Sequence, residues 1–253
     1  PIGLGTEIVQ SEIERLFPNA NVARADRDEI QNRQELEELI EKMDGGDIDI
    51  LVGTQMIAKG LDFKNLNLVG LILADVGFNL PDFRATERSF QLITQMGGRA
   101  GRHIKKEEEP GKVYAQTYNP THPSLLFGKT ADFESFAEQE LAERRSLSYP
   151  PFGKLILFRI QGIHLSKVQT AARLLASRCL SLKGRNPAYQ DIEVLGPAPA
   201  PVLKIRNQFR HQLLLKGLTA KVLNNFACQV RGDQDWLPTG TRILVDVDPF
   251  HLL

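Results

Sequence analysis

The residues predict an α/β lobe built on a buried parallel sheet, followed by a smaller α+β domain. Three observations carry that prediction. Stretches 47–53 and 66–74 fill with Ile, Leu and Val, as strands covered on both faces do, and amphipathic helical spacing surrounds them. Tyr149-Pro150-Pro151-Phe152 is a stiff break, which sets the domains at residues 1–148 and 149–253. Beyond it the apolar spacing reads strand, helix, strand, strand, helix, strand, the βαββαβ order of a ferredoxin-like sandwich.

At 253 residues the chain has room for two cores, and 25% charged with 42% hydrophobic residues is the balance of a soluble globular protein. It carries no apolar run long enough for a bilayer and no signal-peptide pattern, so no membrane association and a cytoplasmic location are expected. Cys179 and Cys228 lie far apart without C-x-x-C spacing, which argues against a zinc site or disulfide framework; both read as buried thiols. His103, His122, His164, His211 and His251 show no ligand spacing, so metal binding and nucleophilic catalysis are not expected. The zero net charge hides an asymmetry: residues 1–150 hold 17 Lys and Arg against 25 Asp and Glu, and residues 151–253 hold 14 against 6. A basic second half suits an acidic partner, nucleic acid or an acidic peptide tail, unless the two halves simply face one another.

Taken in order, the chain opens at Pro1 without a start methionine and reads as a piece of a longer protein. Thr6 is expected to cap a helix running to Phe17, with Ile8, Ile13, Leu16 and Phe17 inward. A short strand at 21–25 leads to a helix over 28–43, capped by Asp26 or Asp28 unless one of these touches substrate, and closed by Gly45-Gly46. The strand at 47–53 ends at Gly53-Thr54-Gln55, the end of an open α/β sheet at which ligands gather. There Thr54 serves either as a ligand contact or as the cap of the next turn. The run at 66–74 reads as a central strand. In the loop after it, Phe78 and Phe83 suit base stacking and anchoring to the core equally, and Arg84 is the stronger candidate for DNA. A helix over 86–98, a last strand over 111–118 and a helix over 131–145, packed through Phe133 and Phe136, complete the lobe.

Chemistry concentrates in Gln95-Met96-Gly97-Gly98-Arg99-Ala100-Gly101-Arg102. If this stretch is helical, Gln95, Arg99 and Arg102 project from one face at i, i+4 and i+7. Its three glycines cost a helix about 1 kcal/mol each relative to alanine, a local conflict of the kind found at functional sites. Guanidinium forks suit phosphate oxygens and can stabilise charge building on a phosphoryl group.

Gly53-Thr54, Lys59-Gly60-Leu61-Asp62-Phe63 and the Gln95 to Arg102 stretch together resemble motifs V and VI of superfamily 2 helicases, in their second RecA-like lobe. Asn79-Leu80-Pro81-Asp82-Phe83-Arg84-Ala85-Thr86-Glu87-Arg88, with Leu4-Gly5-Thr6-Glu7 and Tyr149-Pro150-Pro151-Phe152, resembles the family of bacterial primosomal protein N-prime, the PriA replication-restart helicases. The resemblance covers essentially the whole chain, in family order. It implies that Thr54 and Gln55 contact the tracked DNA strand, that Gly60, Asp62, Arg99 and Arg102 bind nucleotide, and that Gln95, Arg99 and Arg102 are catalytic, with Arg102 the arginine finger. ATP and magnesium would be gripped mainly by a first lobe upstream, since neither a Walker A pattern nor an Asp-Glu-x-His box occurs here. Zinc belongs to a cysteine-rich module upstream in that family, and none is expected in this chain.

The implied protein is an ATP-dependent DNA helicase that recognises stalled or branched forks and restarts replication by primosome assembly; this chain alone would not hydrolyse ATP. Its implied partners are branched and single-stranded DNA, the tail of single-stranded DNA-binding protein, and other primosome proteins. The second domain is expected as strand 154–162, helix 165–182, strand 192–195, strand 211–216, helix 219–230 and strand 241–247. The prolyl stretch at 196–201 reads as an extended loop, followed by Lys204, Arg206, Arg210 and His211 around Phe209. That cluster suits branched DNA or an acidic tail, and a solvated face is the plain alternative; the family usually has Tyr or Trp where Phe209 stands. Another superfamily 2 translocase of repair or branch migration would share the lobe but leave the junction and the basic domain unexplained. A non-catalytic DNA-binding module is the other alternative.

Overall fold

The computed structural model describes residues 5–26, 33–54, 63–100, 110–233 and 235–252. They form a mixed α/β structure in two compact units, Pro1–Leu80 with Ala85–Phe136, and Pro81–Arg84 with Ala137–Leu253.

In the first unit, α1 (Thr6–Leu16) begins at Thr6 itself, with Gly5 in the capping position. The expected Thr6 cap is therefore corrected: its hydroxyl donates instead to Asp26 Oδ2 at 2.6 Å. The expected inward face of α1 is corrected too, because Ile8, Leu16 and Phe17 are exposed. Strands β1 (Val22–Ala25) and β2 (Ile50–Gly53) pair in parallel, with Val22 opposite Ile50 and Ala25 opposite Gly53. Asp26, just past β1, is buried and ion-paired with Arg24 Nε at 3.4 Å. Asp28, the other candidate cap, lies outside the described residues.

Helix α2 (Arg33–Gly45) ends as its paired glycines predict. Gly46 turns to φ +82°, Asp47 N donates to Lys42 O and Gly46 N to Met43 O, the double bond of a Schellman stop.

A second parallel pair joins β3 (Leu68–Leu71) to β4 (Lys112–Ala115). The single central sheet expected from sequence is thus two two-stranded sheets among the described residues. Leu68 and Ile72 are half exposed, so the 66–74 run is apolar without being a strand buried on both faces. A helical turn, α3 (Asp75–Phe78), follows.

Packing in this unit centres on α4 (Ala85–Gly97) and α5 (Pro123–Thr130). Ser89, Phe90, Ile93 and Met96 form the buried stripe of α4. Phe90 stacks on Phe136 at 4.1 Å and Phe78 on His122 at 3.9 Å between centroids, so Phe78 is a core anchor. Phe136, in α6 (Phe133–Ser146), packs as expected, whereas Phe133 is largely exposed.

In the second unit, β5 (Lys154–Gly162), β6 (Glu193–Ile205), β7 (Gln208–Gly217) and β8 (Thr241–Val247) form one antiparallel sheet in the order β6-β7-β5-β8. Helices α7 (Leu165–Arg185) and α8 (Ala220–Arg231) join its core. Ile156, Phe158 and Ile160 of β5 meet Val168, Leu175, Leu223 and Phe226 there. Full burial of a residue such as Phe158 stabilises the fold by about 1.5–3 kcal/mol. β5 and β8 coincide with the predicted strands. β6 does not: the stretch expected as a loop continues the strand through Pro197, Pro199 and Pro201, with register shifts on either side of Ala198 and Pro199. Proline is tolerated there because β6 is an edge strand. Cys179 is buried, which pushes its thiol up to about 12, but Cys228 is exposed, contrary to expectation.

Candidate functional site

The apolar stripe of α4 sets how the helix is rolled, and that decides where motif VI begins. With Phe90, Ile93 and Met96 inward, Gln95 falls on the exposed side. The helix stops at Gly97; Gly98 N still donates to Thr94 O, and Arg99 N and Ala100 N both turn back to Met96 O. The helix therefore does not run on through Arg99, because paired glycines make a further turn unfavourable. Arg99 is half-buried in this turn, and its Nη1 is buried with no hydrogen-bond partner among the described residues. A buried guanidinium nitrogen awaiting an acceptor fits a phosphate oxygen. Thr54 stands exposed at the end of β2. Gln55, Gly60, Asp62 and Arg102 lie outside the described residues.

Arg84 lies in the second unit, its guanidinium over the Phe250 ring at 4.6 Å and over Phe83 at 5.3 Å. Phe83 in turn stacks on Tyr149. The sequence left Phe83 open between a base and the core; here it is held by an aromatic partner.

The basic cluster divides between two sheet faces. Arg206 and Asn207 close the β6–β7 hairpin with φ of 46° and 60°, a two-residue turn in which both central residues are left-handed. This turn carries Arg206 exposed at the hairpin end, beside exposed Lys204. Lys204 sits opposite Phe209, with Nζ 4.9 Å from the ring centroid. Phe209 and His211 share the helix-covered face by strand alternation. Burial holds His211 below the usual histidine range, so it adds no positive charge to the cluster at neutral pH.

Arg210 faces the opposite side. Its cross-strand partner Gln161 also pairs with Arg242, and Arg159 is two residues along on the same face. Burial, and then repulsion from Arg159, lowers the Arg210 pKa. Sequence reasoning missed Arg159 and Arg242, although period-two alternation along β5 and β8 was a signal that could have grouped them with Arg210.

The same residues can be set beside known proteins. Residues 6–104 match the family described as Helicase conserved C-terminal domain, and residues 145–250 match Primosomal protein N C-terminal domain. Replication restart protein PriA of Bacillus subtilis is 37% identical over 259 residues, which cover 99% of this chain and 30% of that protein. The PriA proteins of Treponema pallidum and Synechocystis are 40% and 41% identical over 251 residues, covering 99% of this chain and 36% and 29% of theirs. The chain belongs to the PriA family. It spans about a third of the length of these PriA relatives. A branch-migration translocase is not favoured, since PriA proteins match both units in one continuous alignment. In PriA-family terms the helicase match takes in Thr54, Gln95 and Arg99, and the primosomal match takes in the whole four-stranded sheet. Among the described residues no group of His, Cys, Asp or Glu could hold a metal ion, and no helix is long and apolar enough to cross a membrane.

Proposed function

We propose that this chain supplies the second motor lobe and the C-terminal domain of an ATP-dependent DNA helicase that acts at stalled or branched replication forks in the cytoplasm and rebuilds the primosome there. The observation that carries the proposal is the buried Nη1 of Arg99, without a hydrogen-bond partner among the described residues, in the turn just after α4 and inside a region matching helicase C-terminal domains. The parallel pairs β1–β2 and β3–β4 support a RecA-like lobe. The order β6-β7-β5-β8 with two helices on one core supports a ferredoxin-like second domain, and the domain boundary is proposed at residues 148 and 149.

When bound, ATP with magnesium supplies the phosphoryl group whose transfer to water drives the motor. In this reading Arg99 and Arg102 hold the charge developing on that group, Arg102 as the finger. Gln95 senses the nucleotide, and Gly60 and Asp62 lie against it. Thr54 and Gln55 hold the tracked strand while closure of the cleft advances the motor. Lys204 and Arg206 at the hairpin, and Arg210 on the opposite sheet face, meet the phosphates of the fork, and the acidic tail of single-stranded DNA-binding protein is the rival partner of these basic groups.

DNA-stimulated ATP hydrolysis by the full-length protein is the test. Arg102→Ala should lower stimulated turnover by about 10³ to 10⁵ while fork affinity holds, as loss of an arginine finger does. Unchanged turnover, or an equal loss of DNA affinity, would contradict the role.

A further inference from the structure

The two outer strands of the four-stranded sheet are treated in opposite ways. β6 carries Pro197, Pro199 and Pro201 and two shifts of register, devices that spoil an edge as a template for another strand. β8, at the other edge, has no proline, no lysine and no bulge, and its seven residues pair with β5 in unbroken register from Gly162 opposite Thr241 to Ile156 opposite Val247. An edge left open where its counterpart is blocked is suited to pairing with a further strand.

The register also fixes which way the main chain of β8 points. Asp248 N donates to Leu155 O at 2.9 Å, which makes residues 155 and 248 a hydrogen-bonded pair. Such pairs alternate in an antiparallel ladder, so Arg242, Leu244 and Asp246 bond inward to β5, and the N–H and C=O groups of Ile243, Val245 and Val247 point outward. Among the described residues no main-chain hydrogen bond meets these outward groups. Thr241 N is taken by Pro238 O and Asp248 N by Leu155 O, so the open stretch has definite ends.

Side chains give this edge two unlike faces. Ile243 joins the helix-covered core, while Val245 and Val247, on the same face by alternation, are exposed. The opposite face carries Arg242 and Asp246 on either side of exposed Leu244. A strand laid on β8 therefore meets branched apolar side chains on one face, and an arginine and a carboxylate four residues apart on the other.

We propose that β8 is a docking edge for an extended segment of a partner protein, added antiparallel as a further strand, with β-branched residues opposite Ile243, Val245 and Val247, an acidic residue opposite Arg242 and a basic residue opposite Asp246. Main-chain hydrogen bonds supply the attachment, and the cross-strand pairs select the segment. That the partner is another primosome protein rests on the reading above; the edge itself rests on the sheet.

The test measures binding of a labelled synthetic peptide, Ser-Val-Lys-Val-Thr-Val-Glu-Val-Ser, to the full-length protein by fluorescence anisotropy. Two control peptides accompany it, one with Lys and Glu exchanged and one N-methylated at the two middle valines, whose N–H groups would bond to β8. Wild type should bind the first peptide, bind the exchanged one about tenfold less tightly because like charges then face each other, and fail to bind the N-methylated one. Amide hydrogen exchange over residues 241–247 should slow when the first peptide is bound. Val245→Pro removes an outward N–H without breaking a bond to β5, and should abolish binding. The double variant Arg242→Glu/Asp246→Arg keeps the backbone intact and should reverse the preference between the two charge patterns, so it decides the matter if the proline variant does not fold. Equal binding of the N-methylated peptide, or no preference between the charge patterns, would overturn the docking edge. So would failure of the full-length protein to bind any of the peptides. Concentration-dependent self-association that Val245→Pro removes would overturn it in favour of a second copy of the chain. If the protein shows no fork-stimulated ATP hydrolysis, the motor reading fails, and the peptide measurement still judges the edge separately.

Discussion

The rings of Phe83 and Tyr149 lie 5.5 Å apart between centroids with only 2° between their planes. One belongs to a tetrapeptide between α3 and α4, the other to the prolyl junction before β5. Residues far apart in sequence thus share one aromatic stack, with guanidinium groups against Phe83 and an ammonium group against Tyr149.

The stack predicts a measurable coupling. In a double-mutant cycle on thermal or denaturant unfolding, Phe83→Ala and Tyr149→Ala should be non-additive by about 0.5–1.5 kcal/mol, the range for a parallel aromatic pair. Additive losses would mean that the rings are near one another without interacting.

Gly128 makes a second prediction, because two effects oppose each other there. A helix interior normally gains about 1 kcal/mol when Gly becomes Ala. At Gly128 an added Cβ would meet Ile93 Cγ2 at 2.8 Å and Ile93 Cβ at 3.2 Å, and the neighbour is a stiff β-branched side chain in the core. Overpacking of that kind costs about 1–3 kcal/mol, so Gly128→Ala should destabilise by roughly 1 kcal/mol net. Adding Ile93→Ala should cost less in that background than in wild type, measured by unfolding of all four proteins.

Much of the second unit was legible in the sequence, and much of the first was not. β5 and β8 follow the predicted bounds because each is a β-rich run closed by turn residues. β6 outran its prediction because three prolines read as a loop, whereas on an edge they remain compatible with strand geometry. In the first unit, apolar content was taken for burial at Leu68 and Ile72 and at α1, though composition does not say which face a neighbour covers. At the candidate site, residue type singled out Gln95 and Arg99, and the helix stops at Gly97 between them, so they do not project from one continuous helix as expected. The anchoring of Asp82 had no local signal, since its hydrogen bond from Leu252 spans 170 residues.

The hairpin turn separates charge from strain. Arg206 is held at φ 46°, which costs a non-glycine residue about 1–2 kcal/mol. Arg206→Gly should therefore leave the protein about 1 kcal/mol more stable than Arg206→Ala, read from their unfolding midpoints. Both should weaken fork binding equally and reduce the slope of log affinity against log salt by about 0.9, the effect of one lost phosphate contact. Equal stability, or an unchanged slope, would separate Arg206 from the strained turn or from DNA respectively.

The measurement that bears most directly on the helicase account is strand separation by the full-length protein on a three-way fork beside a Holliday junction, with and without ATP. The account predicts ATP-dependent unwinding of the fork and a clear preference for it over the junction. No ATP-dependent unwinding, or a preference for the Holliday junction, would contradict a replication-restart motor built on this chain.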